Sequence, residues 1–128
     1  MTMEKQLNSV KEFHTAFGQE TPSFPQHVNK NISELRHALM EEENDEYKEA
    51  CENESLVGIA DALGDKLYIL CGTILLHGMQ HVIEEVFDEI HKSNMSKLGA
   101  DGKPILRADG KFLKGPDYFK PDLQKFLK

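Results

Sequence analysis

The stretch Leu56–Leu76 restricts the fold more than any other part of this chain. It is apolar on nearly every side and carries charge only at Asp61, Asp65 and Lys66. Three ionised side chains in its middle disqualify it as a simple membrane span. A helix on the outside of a lone bundle needs one apolar stripe, so a helix apolar nearly all round must be covered on two sides. It therefore belongs at the centre of a helical protein. A second copy of the chain is the expected second cover, giving a homodimer or homotetramer. The alternative is cover from within, by Phe112, Tyr118, Phe119 and Phe126.

Helical spacing elsewhere completes the architecture. Leu7, Val10, His14 and Phe17 recur with helical period and are stopped by Gly18, which predicts a first helix over 3–17. Pro22 and Pro25 make the next segment a loop. A second helix is predicted over 32–51, a third from an N-cap at Ser55 to His77, and a fourth over 80–96. After Leu98 the turn dipeptides Asp101-Gly102 and Asp109-Gly110 alternate with Ile105-Leu106 and Phe112-Leu113, while Pro116 and Pro121 exclude a long terminal helix. The expectation is one all-α domain over 1–128. Its four-helix bundle-type core covers 3–97, and an irregular tail over 98–128 has the turns for one small hairpin.

Charge narrows the function. Fifteen Lys and Arg stand against 22 Asp and Glu, a net −7, which argues against binding a nucleic-acid polymer. A nucleotide stays open, because a metal ion or a local basic cluster can offset phosphate charge. Cys51 and Cys71 follow no C-x-x-C pattern. The first ten residues include Glu4, Lys5 and Asn8 and have no apolar core, so no secretory signal is read and the expected location is cytoplasmic.

The chemistry lies on the second and third helices. Ile32, Leu35 and Leu39 define the expected buried stripe of helix two. At about 100° per residue, Glu43, Glu46 and Ala50 return to within roughly 40° of Ile32, and Glu42 lies beside them. A Glu-rich helix ordinarily presents a solvated acidic face. Here the acids continue the apolar stripe instead of opposing it, and buried carboxylates need something positive. On helix three, Asp61 and Asp65 stand one turn apart in apolar surroundings, with Tyr68 on the same face. Antiparallel packing of the two helices would bring Glu42, Glu43 and Glu46 opposite Asp61 and Asp65. Such an all-oxygen cluster suits Mg²⁺ or Mn²⁺. Two E/D-x-x-H pairs, Glu34 with His37 and Asp88 with His91, raise a di-iron alternative. Their helical angles place them on the solvent side.

Basic residues gather late, at Lys92, Lys97, Lys103, Arg107, Lys111 and Lys114, among Ser93, Asn94, Ser96 and Tyr118. In an acidic chain this grouping suggests phosphate contacts, with a solubilising surface tail as the plainer reading.

Glu42-Glu43-Asn44-Asp45-Glu46 followed by Ala60-Asp61-Ala62-Leu63-Gly64-Asp65 resembles the all-α nucleoside triphosphate pyrophosphohydrolases. These are the MazG-like enzymes, with phosphoribosyl-ATP pyrophosphohydrolase and dimeric dUTPase as relatives. The resemblance extends through 86–97 and to Asp109-Gly110-Lys111 and Lys114-Gly115-Pro116, where it is to short single-domain members, several of them from phages. It implies hydrolysis of an NTP or dNTP to the monophosphate and pyrophosphate, with Mg²⁺ as cofactor and Mn²⁺ able to substitute. Glu43, Glu46 and Asp65 are implied metal ligands, and Glu42 a further ligand or water-positioning base. The family pattern, E-E-x-x-E on one helix and E-x-x-D on the next, has a glutamate where this chain has Ala62, and Asp61 is the expected replacement. Asn94 and Lys97 fall where relatives contact phosphates, and Lys111, Lys114 and Tyr118 are further substrate-binding candidates. A purine deoxynucleotide such as dGTP is the narrow expectation, in the host cytoplasm for a phage-encoded member. Phosphoribosyl-ATP hydrolysis and a non-catalytic metal-binding adaptor are the alternatives.

Overall fold

Asn29 and Ser55 are the two side chains that cap helices here. Asn29 accepts a hydrogen bond from the Ile32 N–H at 2.9 Å, and Ser55 Oγ accepts one from the Gly58 N–H at 3.0 Å. They open the two longest elements of an all-α chain. The computed structural model describes residues 2–127 and contains α1 Glu4–Ala16, α2 Lys30–Glu52, α3 Leu56–Leu76, α4 Ile83–Met95 and a 3-10 turn at Gln124–Phe126. Among the described residues there is no strand, and no helix is long and apolar enough to cross a membrane. The contacts form two compact units, Met1–His81 and Val82–Lys128.

In the first unit, α3 packs against both α1 and α2. The α2–α3 link is only three residues long, so the helices run antiparallel. Its bonds are Ser55 N–H to Ala50 O at 2.9 Å and Glu54 N–H to Cys51 O at 3.1 Å, with Glu54 in the left-handed region. The buried apolar set is Leu7 and Val10 from α1, Ala50 from α2, and Ala62, Cys71, Ile74 and Leu75 from α3.

Leu35 departs from expectation: it is 54% exposed. Arg36 takes the inward place beside it. Its Nε donates to Thr73 Oγ1 at 3.0 Å and its Nη2 to the Ile69 carbonyl at 2.7 Å, both on α3. Gly72 makes the room, because a Cβ there would lie 2.7 Å from Arg36 Nη2 and 3.0 Å from His14 Nε2. Burial, and then the positive charge of Arg36, hold the His14 pKa below its ordinary value.

The fourth helix starts three residues later than the pattern predicts, because 80–82 form a turn. Within the second unit, Ser93 Oγ donates to Phe119 O at 2.8 Å, and the Asp122 N–H donates to the Glu89 carboxylate at 2.9 Å. These bonds tie the tail to α4. The expected hairpin forms as one antiparallel bridge between Leu106 and Phe112. It is flanked by Arg107 N–H to Lys111 O at 2.8 Å and Leu113 N–H to Ile105 O at 2.7 Å.

Gly78 closes α3 at φ +65°, and a Cβ there would sit 2.1 Å from the Phe24 carbonyl oxygen. Gly18, at φ +80°, has nothing within 4 Å of that position. Gly18→Ala is expected to cost about 1 kcal/mol, the left-handed penalty alone. Gly78→Ala should cost more, roughly 2–4 kcal/mol, because the 17–29 loop must also move. Urea denaturation of the two variants checks the order.

Candidate active site

Glu43 and Glu46 lie on neighbouring turns of α2, and the antiparallel link carries them against Asp65 of α3. Each offers one carboxylate oxygen, and the three oxygens lie within 4.8 Å of one another. Glu43 is buried, while Glu46 and Asp65 are exposed, so the trio opens to solvent on one side. Lys66 Nζ donates to Asn44 Oδ1 directly beside it, pinning α3 to α2 at this level. That pair escaped the sequence reading; its only signal is that each partner adjoins an acid, Asn44 next to Glu43 and Lys66 next to Asp65.

The electrostatics favour a cation. Glu43 Oε2 is buried and meets no hydrogen-bond donor. Loss of hydration raises the Glu43 pKa to about 7, helped by a hydrogen bond with Glu46 and by the negative charges of Glu46, Asp65 and Glu42. A carboxylate in this state lacks a positive partner. Opposite ligands of an octahedral Mg²⁺ are about 4.2 Å apart, twice its bond length of about 2.1 Å. Adjacent ligands are closer, about 3 Å apart, so the three carboxylates would have to draw together to share one such ion. The cluster can bind a metal, and its all-oxygen donors suit a hard divalent ion.

The other expected residues are placed as follows. Glu42 is exposed next to the trio and adds charge to the Glu43 environment, but is not one of the three converging ligands. Asp61 is also exposed and outside the group, whereas Ala62 is buried, 2% exposed. Asn94, Lys97, Lys111, Lys114 and Tyr118 all belong to the second unit. Lys114 Nζ lies 4.8 Å from the centre of the Tyr118 ring, and Asn94 and Lys97 line one cavity. Arg107 is engaged by Asp109 through a paired hydrogen bond. The residues of the di-iron alternative on α2 point outward, Glu34 pairing with Lys30 and His37 with Glu41 at exposed positions.

Residues 10–94 match the phosphoribosyl-ATP pyrophosphohydrolase family. The chain belongs to that family. It is a nucleotide pyrophosphohydrolase. A crystal structure of a candidate NTP pyrophosphohydrolase from Exiguobacterium sp. 255-15 is similar over 93% of this chain and 90% of its own, with 25% identity and a TM-score of 0.50. Comparison with curated proteins gives no significant match.

The raised Glu43 pKa has a definite sign for stability. The folded value of about 7 exceeds the ordinary 4.5, so the folded state holds the proton longer than the unfolded state does. Without metal, stability is therefore expected to fall as pH rises from 4.5 to 7, and to change no further from this group above that. Glu43→Gln should flatten the window and raise the melting temperature at pH 8. Thermal melts in EDTA at pH 5 and pH 8 test both.

Proposed function

We propose that this enzyme is a divalent-cation-dependent nucleoside triphosphate pyrophosphohydrolase, which converts an NTP or dNTP and water to the monophosphate and pyrophosphate. The observation that carries this reading is the Glu43–Glu46–Asp65 trio, with its one donor-less buried oxygen, in a chain of this family. Mg²⁺ is the expected ion, with Mn²⁺ as substitute. When bound, it supplies neutralisation of the trio and stabilisation of the charge that moves onto the leaving pyrophosphate. Glu43, Glu46 and Asp65 would hold it. Glu43, with its pKa raised to about 7, would have to be ionised to serve as a ligand, which would couple binding to pH. Glu42, exposed and free of the trio, accepts the proton of the attacking water.

Asn94, Lys97, Lys111, Lys114 and Tyr118 are the proposed substrate contacts. From position 92 onward the chain has nine basic and four acidic residues, a local +5 that complements a triphosphate. The family match runs from 10 to 94 and so continues past the boundary between the two units, which supports one functional domain. The similar structure's description as an NTP pyrophosphohydrolase favours an ordinary nucleoside triphosphate over phosphoribosyl-ATP. A purine deoxynucleotide such as dGTP is the first substrate to try.

Pyrophosphate release from a panel of NTPs, dNTPs and phosphoribosyl-ATP tests the reading. EDTA should abolish turnover, and Glu43→Gln or Asp65→Asn should lower kcat/KM at least about a hundredfold with helicity unchanged. Asp61→Asn is the informative companion: a comparable loss makes Asp61 a ligand, and a small one leaves the trio complete without it. Full activity in EDTA refutes the proposal.

The enzyme is further proposed to act as a homo-oligomer. Leu56, Leu63, Leu67 and Leu70 are 81%, 51%, 44% and 43% exposed, although α3 is the most apolar helix of its unit. With Ala60 they repeat at the alternating spacing of three and four of a helix–helix seam. A second copy presenting the same face covers them by symmetry. Light scattering should give at least twice the 14.6 kDa chain mass, and Leu63→Glu should shift it toward one chain.

A further inference from the structure

The trio sets a charge problem that the first unit must solve for any phosphate ligand. Three ionised carboxylates outweigh one divalent ion, so even with an ion bound the cluster would repel a polyphosphate. The rest of the unit adds to the repulsion, since positions 1–81 carry 14 Asp and Glu against 6 Lys and Arg. Among the described residues, two cations are bonded across the α2–α3 interface that holds the trio. Arg36 is engaged two turns before Glu43, by the Ile69 carbonyl and Thr73, in a space shared with Gly72 and His14. The other cation is Lys66.

Lys66 follows Asp65 on α3, and its partner Asn44 follows Glu43 on α2, so the bonded pair stands one residue beyond two of the three ligands. In this acidic setting the ammonium donates to a neutral amide, at 2.5 Å, and among the described residues it forms no ion pair. Asn44 therefore fixes the head of the side chain without cancelling its charge. An ammonium has three donors, and this bond uses one of them. Lys66 is half-buried and Asn44 exposed, which puts the head at the solvent edge of the interface, where an arriving anion meets it. A polyphosphate that meets an ion at the trio with one phosphate has its next phosphates only a few ångströms further along the chain. We propose that Lys66 is a phosphate-binding residue of this enzyme, held in place by Asn44 and donating to a substrate phosphate beyond the trio. The proposal rests on the pyrophosphohydrolase reading above for the nature of the ligand. It puts a phosphate contact on the same two helices as the trio, whereas the sequence resemblance places such contacts at position 94 and later.

Equilibrium binding to the full chain tests it, with Mg²⁺ alone and with inorganic triphosphate in excess Mg²⁺ as the probes. Lys66→Gln removes the charge but keeps an amide that can bond to Asn44. It should weaken triphosphate binding about tenfold or more, the usual effect of losing one hydrogen bond to a charged group. Its affinity for Mg²⁺ alone should be no lower than that of the wild type, because a positive charge has been taken away. Lys66→Arg should bind triphosphate within about threefold of the wild type, since either cation can donate to a phosphate. Asn44→Ala separates contact from scaffold: the charge survives, so the loss should stay below about threefold. Unchanged triphosphate affinity in Lys66→Gln overturns the proposal. So does an equal fall in its Mg²⁺ affinity, or a loss in Asn44→Ala as large as that in Lys66→Gln, since either makes the pair a scaffold only. A wild type that binds no triphosphate overturns it as well. A wild type that binds triphosphate through Lys66 yet releases no pyrophosphate from any nucleotide defeats the preceding reading instead and leaves the phosphate contact standing.

Discussion

Glu43 is a carboxylate placed where a leucine would ordinarily sit, at a buried position between α2 and α3, with one oxygen that no donor reaches. Much of the first unit is explained by what it takes to hold it there. Removing such a group from water opposes folding, so the helices around it must be joined by something stronger than the acid itself. Two clamps do this from either side of the packed surface. Arg36 bonds across to Ile69 and Thr73 two turns before Glu43, and Lys66 bonds to Asn44 at its own level. Neither cation is a partner of the trio by the contacts it makes. The charge of the site is thus left for a ligand, while the geometry is fixed by neighbouring residues.

The same demand shapes α3. Its inward line uses small residues, Ala62 and Gly72, where α1 and α2 must come close or where Arg36 and His14 need space. Bulk is displaced to the opposite side, where Leu56, Leu63, Leu67 and Leu70 stay exposed in a single copy. A helix that holds acids on one side and leucines on the other has opposite requirements for its neighbours.

The helices, the Ser55 cap and the inward turn of Glu43 were legible because each follows from period and cap chemistry, which are local. The Leu35–Arg36 exchange was not, since an arginine turns inward only when the facing helix supplies a carbonyl and a glycine, and that is a fact about α3 and not about α2. Spacing made the carboxylates legible only as a group, and it was the family resemblance that singled out Glu43, Glu46 and Asp65, with Asp61 as a further candidate. Spacing alone cannot separate Asp61 from Asp65 on one helical face; the angle at which α3 meets α2 brings only Asp65 within reach of Glu43 and Glu46. The cavity on the second unit was hidden for a different reason: its walls come from the end of α4 and from an irregular turn segment, whose path no hydrophobic period predicts.

Ala62 gives the last step. It is buried at the position where the resemblance expects a glutamate, so an acid there would join Glu43 in surroundings that already raise a carboxyl pKa to about 7. Every added like charge deepens the penalty on the metal-free fold. With alanine, the chain keeps three converging carboxylates and a smaller electrostatic burden when no ion is bound. The corollary is weaker hold on a cation by protein groups alone. Under the proposed function, coordination would then be completed by oxygen donors from elsewhere, and a triphosphate would bring both the oxygens and the negative charge, so ion and substrate are expected to strengthen each other's binding by the same factor.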